Sequence, residues 1–269
     1  MSLKTITSRE NPDYLEILAL AGDRKARRQT GRTVLDGPHL LEAALAADMG
    51  IVKLVFSESA VVGPLGGWSK RLSDVPSLIV PDRLFSTLSP VDSPAGLLSV
   101  IDTPSPSAQV FECVILLESI QDPGNLGALF RVAAASGVGS VRLSKGCAEA
   151  WSPKCLRGGQ GAHFLLEIHE GVDLPSFARN FHGPIHAARL GATLALFELD
   201  LRGPVGFAFG NEGAGLSEPL CSVAQPFSIP MPGRVESLNV ATAAAVCLFE
   251  RVRQTMVKEP LAIHRAGSA

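Results

Sequence analysis

The chain lacks most of the spacings that mark common catalytic chemistries. Its six histidines and five cysteines contain no His-Glu-x-x-His and no Cys-x-x-Cys, and His182 and His186 are separated by the helix-breaking pair Gly183-Pro184. No metal site is expected from such a distribution. No Gly-x-Ser-x-Gly elbow is present to anchor a serine hydrolase. Neither Gly-x-Gly-x-x-Gly nor Gly-x-x-x-x-Gly-Lys-Ser/Thr occurs, which disfavours a conventional dinucleotide or ATP phosphate site. Five cysteines, an odd number at irregular spacing, fit reduced thiols better than a disulfide framework. The N-terminus has no basic-then-apolar leader pattern. No run of about 18 uncharged apolar residues occurs outside an Ala-rich last helix, whose polar start and charged end argue against a membrane span. The expectation is a cytoplasmic protein with no membrane partner.

What is present is an ordinary globular composition, 46% hydrophobic and 19% charged over 269 residues, enough for one large domain or two modest ones. A net charge of −2 does not by itself suggest nucleic acid, but the distribution does. Arg24, Lys25, Arg27, Arg28 and Arg32 fall within nine residues with no acid among them. Such a cluster is either a solvated helix face and turn or a track for phosphates held by charge and counterion release.

Three segments carry more. Ile229 to Val246 runs from a Pro/Gly turn into an apolar helix with Leu238, Val240, Ala241, Ala244, Ala245, Leu248 and Phe249 at helical spacing. Ser237 stands where its N-cap is expected. Asp122-Pro-Gly-Asn-Leu-Gly-Ala-Leu-Phe-Arg131 follows the apolar run Cys113 to Leu117, and Gly210-Asn-Glu-Gly-Ala-Gly-Leu-Ser217 follows Val205 to Phe209. Each time a buried-strand pattern gives way to a glycine-bearing turn with polar side chains. From Phe111 onward strands alternate with helices: Cys113–Leu117, Leu126–Ser136, Ser140–Leu143, Phe164–Ile168, Ile185–Ala188, Val205–Phe209 and the last helix. That alternation predicts a mostly parallel sheet covered on both faces, with ligands beyond the carboxyl ends of its strands.

These three segments, in this order, resemble the motifs of the SpoU (TrmH-like) RNA ribose 2'-O-methyltransferases of the SPOUT superfamily. Asn125, Gly127 and Arg131 match the first motif. Gly210-Asn211-Glu212-Gly213 with Gly215-Leu216-Ser217 match the second. Ile229, Met231, Gly233 and Ser237-Leu238-Asn239-Val240-Ala241 match the third. The resemblance implies an α/β fold whose C-terminal SPOUT-type domain (111–258) forms a trefoil knot. It also implies a homodimer that completes the active site, and transfer of a methyl group from S-adenosylmethionine to a ribose 2'-hydroxyl of ribosomal or transfer RNA, with no metal.

Residues 1–101 read as a small α/β unit, with helices over Asn11–Ala21 and Pro38–Ala47, strands at Lys53–Phe56 and Leu78–Val80, and a closing strand ending at Ile101. Asp102–Gln109 is polar and proline-bearing, and 102–110 is taken as a linker. Residues 259–269 are taken as a flexible tail. The N-terminal layout is similar to the small RNA-binding domain, of ribosomal-protein-like fold, that many SpoU enzymes carry. The matching features are Ser8-Arg9-Glu10-Asn11, the basic cluster, Asp36-Gly37-Pro38-His39-Leu40-Leu41-Glu42-Ala43 and Ala95-Gly96-Leu97-Leu98. Relatives commonly have Glu at the position of Asp36.

With the resemblance, RNA contact becomes the expected role of Arg9, Arg24, Lys25, Arg27, Arg28 and Arg32. Gly210, Gly213, Ile229, Met231 and Leu238 are the expected donor contacts, the glycines allowing close backbone approach. Arg131 lies in an otherwise apolar helix, where a charge is costly unless paired, to Glu118 or Glu212, or put to use. Because guanidinium keeps its proton, Arg131 is expected to stabilise a developing alkoxide or grip a phosphate. Asn125, Glu212, Ser237 and Asn239 complete the catalytic set, with turn or capping roles as alternatives. Arg157-Gly-Gly-Gln-Gly-Ala-His163 departs from the family's Arg-Ala-Ser, which bears on substrate-side contacts. Two other readings are a non-catalytic RNA-binding or ribosome-assembly factor that retains the fold, and a SPOUT enzyme that methylates a base. An intact Arg131 and Gly210–Gly213 turn argue against the first, and the Asn125/Arg131 motif against the second.

Overall fold

The structure, a computed structural model, describes residues 3–89, 94–107, 109–211 and 213–256. Glu212 and the expected tail 259–269 lie outside the described residues. In the N-terminal half, Asn11 accepts a hydrogen bond from Asp13 N at 2.9 Å and Pro12 follows it, which starts helix α1 (Pro12–Gly22). Tyr14, Ile17 and Leu20 form its buried stripe. Asp23 then caps α2 (Arg24–Thr30), which ends where Gly31 turns left-handed at φ 65°. Strands β1 (Lys4–Thr5), β2 (Arg32–Asp36), β3 (Ile51–Ser57), β4 (Ser77–Val80) and β5 (Leu97–Asp102) form a sheet in the order β1-β4-β3-β5-β2. Its pairings are mixed: β5 runs antiparallel to both β2 and β3, whereas β4 runs parallel to β1 and β3. The other helices here are α3 (Pro38–Ala46), α4 (Glu58–Val61), α5 (Gly67–Arg71) and α6 (Asp82–Leu88).

The C-terminal half contains β6 (Cys113–Leu117), β7 (Ser140–Leu143), β8 (Glu167–His169), β9 (Ile185–Ala188), β10 (Val205–Phe209) and β11 (Gln225–Phe227). They form one sheet in the order β11-β9-β10-β6-β7-β8, and all five pairings are parallel. Every residue of β6 and β10 is buried, as expected of central strands covered on both faces. Helices α7 (Pro123–Ala135), α8 (Pro153–Gly159), α9 (Leu174–Asn180), α10 (Glu218–Cys221) and α11 (Val240–Thr255) complete this half. Among the described residues no helix is long and apolar enough to cross a membrane.

Helices α7 and α8 pack backbone against backbone. A Cβ on Gly127 would lie 2.5 Å from the Cys155 carbonyl oxygen and 2.7 Å from Gly159 N. The Gly158-Gly159 pair is the α8 side of that contact, and a Cβ on Gly159 would meet the His163 ring at 2.5 Å. The departure from Arg-Ala-Ser is thus matched by a histidine filling the space beside it. His163 is buried between Phe130 and Trp151, its Nε2 2.9 Å from the Ala150 carbonyl, and burial pushes its pKa down to about 4.

The two halves share packing as well as a chain. Leu35, Leu40, Ala44 and Ile101 join the hydrophobic core of the C-terminal half. Thr33 Oγ1 donates to the Trp151 carbonyl at 2.7 Å. Arg27 is buried and forms a two-point ion pair with buried Glu149, Nε to Oε1 at 2.9 Å, while Nη1 donates to Leu20 O at 2.7 Å. The connecting segment is tied down too: Thr103 N donates to Gly31 O at 2.7 Å and Ser107 N to Glu167 Oε2 at 2.8 Å.

Several expectations are corrected. The N-cap of α11 is Asn239, which accepts from Ala241 N and Thr242 N, so the helix starts at Val240 and Ser237 lies ahead of it. The face of α11 that carries Phe249 is outside the core, and that ring is 48% exposed. The expected strand Phe164–Ile168 is a 3-10 turn over Ala162–Leu165 followed by β8. Helix α2 is not among the expected helices, and Arg32 lies beyond it at the start of β2, because Gly31 has already reversed the chain. Asp102 belongs to β5 and not to the connecting segment, since it pairs with Arg32.

Candidate active site

Parallel pairing brings the carboxyl ends of β6, β10 and β11 to one edge of the sheet, and the three glycine-bearing turns leave from those ends. They are tied to one another there. Glu118 N, just past β6, donates to the Phe209 carbonyl at the end of β10 at 2.9 Å. Asn211 Nδ2 donates to the Ser119 carbonyl at 3.1 Å, and its Oδ1 accepts from Gly213 N at 2.8 Å and Ala214 N at 3.2 Å. Asn239 Nδ2 donates to Asn125 Oδ1 at 3.0 Å, joining the start of α11 to the first turn of α7.

Between these turns is a cleft of about 680 Å³, of the size that takes a nucleoside-sized ligand. Its apolar lining includes Phe227, Ile229, Leu238 and Val240, and its other side is the Gly210–Leu216 loop. Gly210, Gly213, Ile229, Met231, Leu238, Ser237 and Asn239 all line it. The glycines act differently from expectation. A Cβ on Gly210 would lie 2.3 Å from Gly215 C and O, so Gly210 is required by the return of its own loop. A Cβ on Gly213 would only touch Asn211 Oδ1, at 3.4 Å, and its φ is ordinary; the left-handed residue is Gly215 at φ 69°. Among the described residues no group of three or more His, Cys, Asp and Glu side chains comes together to hold a metal ion.

Arg131 is not part of this lining. It lies six residues beyond Asn125 on α7, about 9 Å along the axis and about a third of a turn off its face. It is exposed and has no hydrogen-bond or ion-pair partner among the described residues. The expected burial cost therefore does not arise. Glu118 is not its partner: Glu118 Oε2 accepts from Ser217 N and Oε1 from Ser217 Oγ, each at 2.7 Å. Asn211, which the motif reading included without a role, and Glu118, which it considered only as a partner for Arg131, are the residues that tie the loops together. The available clue to Glu118 was its position directly after a fully apolar strand.

The chain belongs to the SpoU rRNA methylase family. The family so described matches residues 112–249, and a second, the MRM3-like substrate binding domain, matches residues 11–99. The chain is 34% identical to an uncharacterised tRNA/rRNA methyltransferase of Synechocystis sp. over 94% of each chain. It is 30% identical to the 23S rRNA (guanosine(2553)-2'-O)-methyltransferase RlmP of Bacillus subtilis over 84% of this chain and 90% of the relative. Among solved structures, the AdoMet-bound rRNA methyltransferase from Sinorhizobium meliloti superposes with a TM-score of 0.80 at 28% identity, over 93% of this chain and 98% of that one.

The expected RNA-contact residues of this SpoU chain divide into three groups. Arg9, Arg24, Lys25 and Arg28 are exposed and make no ion pair with a described residue. Arg32 is half-exposed and paired with Asp102 at 2.9 Å and Glu16 at 3.5 Å. Arg27 is a correction: committed to Glu149 inside the protein, it cannot present its charge to phosphates.

Proposed function

We propose that this chain transfers the methyl group of S-adenosylmethionine to a ribose 2'-hydroxyl of ribosomal RNA. The observation that carries the reading is the cleft itself: the residues that the resemblance assigns to the donor, Gly210, Gly213, Ile229, Met231 and Leu238, line one cavity at the edge where three loops converge. When bound, S-adenosylmethionine supplies an electrophilic methyl group on a sulfonium centre. Ile229, Leu238 and Phe227 offer apolar surface to an adenine, and the Gly210–Leu216 backbone offers polar groups at close range. The Asn125–Asn239 pair, with Ser237 beside it, orients the ribose at the cleft's edge. Arg131 keeps its proton and stabilises the developing alkoxide or grips the adjacent phosphate. Because Arg131 stands on an exposed face off its own chain's cleft, it serves the cleft of a second copy in a two-fold dimer. Arg9, Arg24, Lys25 and Arg28 supply phosphate contacts from the N-terminal domain, 1–101. A trefoil knot in 111–258 and a cytoplasmic location follow from the same family reading. RlmP, a 23S rRNA 2'-O-methyltransferase, favours ribosomal over transfer RNA.

The test is methyl transfer into ribosomal RNA followed by nucleoside mass spectrometry. Arg131→Ala is expected to lower kcat by about a hundredfold or more with donor affinity unchanged. Methylated bases, or no donor binding by the wild-type chain, would end this reading. Full activity in Arg131→Lys would remove the two-point role of the guanidinium.

A further inference from the structure

Ser217 occupies the N-cap position of α10 yet makes no capping hydrogen bond with its side chain. Its hydroxyl and its backbone N–H both turn to one carboxylate, that of Glu118, 99 residues away in sequence. Two charge-assisted bonds at 2.7 Å to a half-buried group hold position far better than one neutral bond, because both oxygens are used and the donor pair has one geometry. The preceding residues are fixed from the same side. Ser119, at φ 56°, is one of three described non-glycine residues in the left-handed region, and its carbonyl receives Asn211 Nδ2. The Gly210–Leu216 loop is thus pinned at its start through Ser119–Asn211 and at its end through Glu118–Ser217. Every described residue between those pins lines the cleft.

We infer that Glu118 is a positioning residue for the donor: it holds the Gly213–Ser217 segment in one shape before any ligand arrives. Preorganisation of this kind lowers the ordering cost of binding and leaves the chemical step untouched. Glu118 lines no part of the cleft, so it acts only through Ser217. The inference rests on the donor reading above, and its test separates the two.

Donor affinity is measured by calorimetry with S-adenosylmethionine, and kcat and KM with RNA. Glu118→Ala is expected to weaken donor binding by about tenfold, with kcat at saturating donor within about twofold. Ser217→Ala, which keeps its backbone donor, has a smaller effect and adds nothing to Glu118→Ala, since both remove one connection. Glu118→Gln keeps an acceptor for Ser217 N and an amide that Ser217 Oγ can accept from, and restores most of the affinity. An unchanged donor Kd in Glu118→Ala, a lowered kcat at unchanged KM, or a Gln variant as poor as Ala would overturn the inference. If the wild-type chain binds no donor, the functional reading fails while the clamp is still judged by amide hydrogen exchange. Exchange at Gly213–Ser217 that quickens in Glu118→Ala supports it, and exchange that stays the same refutes it.

Discussion

The two sheets differ in one respect that decides where chemistry can occur. In the C-terminal sheet all strands point the same way, so the loops leaving β6, β10 and β11 emerge at one edge and touch, as Ser119 and Asn211 do across 92 residues of chain. In the N-terminal sheet β5 runs against both neighbours while the other four strands share one direction, and the polar links between its turns, Ser59 to Asp82 and Ser89 to Asp36, span 23 and 53 residues of chain. The all-parallel sheet gathers side chains from further apart in the chain. The N-terminal half offers exposed cations, Arg9, Arg24, Lys25 and Arg28, and the C-terminal half offers a cleft.

The contrast has a seam, the Arg27–Glu149 pair, and breaking it is the strongest test of whether the halves act as one body. Arg27→Met leaves the Glu149 carboxylate buried without its partner, and a loss of about 3–5 kcal/mol is expected in urea unfolding. A loss below about 1 kcal/mol would mean that water reaches Glu149 and that the halves part readily.

A second test concerns the C-terminal core alone. His163 has a folded-state pKa of about 4 against an ordinary value of 6.5, so the unfolded chain binds more protons between those pH values. Stability is then full above about pH 6.5 and falls as pH drops toward 4, by up to about 3 kcal/mol. Urea unfolding at pH 7 and pH 5 for wild type and His163→Phe checks this, the variant being expected to lose the part of the slope due to the imidazole. Equal pH dependence in both would show that the ring is already charged, or hydrated, in the native state.

The smallest effect belongs to the exposed cations. Replacing Arg24, Lys25 and Arg28 together by Ala is expected to leave stability within about 0.5 kcal/mol of wild type. It should weaken RNA binding at low salt and reduce the salt slope by about one unit for each phosphate that is no longer neutralised. An unchanged slope would move the RNA track elsewhere on the molecule.

Much of this was legible in the chain. The strands Cys113–Leu117, Ser140–Leu143, Ile185–Ala188 and Val205–Phe209 are apolar runs of strand length bounded by turn residues, and they lie where the pattern puts them. The polar turns after Cys113–Leu117 and Val205–Phe209 were equally plain, since each joins such a run to glycine. Short elements were harder to read. Helix α8 and strand β11 are seven and three residues long, too brief for periodicity to rise above composition. The Ser152-Pro153 step was the one local clue to α8.

Local chemistry is written in the sequence, because caps, turns and strand patterns depend on residues a few positions apart. It determined an α/β chain, glycine-bearing loops after the two buried strands β6 and β10 and before the last helix, and which side chains those loops carry. The tertiary structure alone decided which of them meet. It turned Arg27 inward to Glu149, joined Asn239 to Asn125, gave Glu118 to Ser217 and left Arg131 outside its own cleft. Each of these arrangements depends on strand order and helix packing between segments far apart in the chain, which no spacing along it encodes.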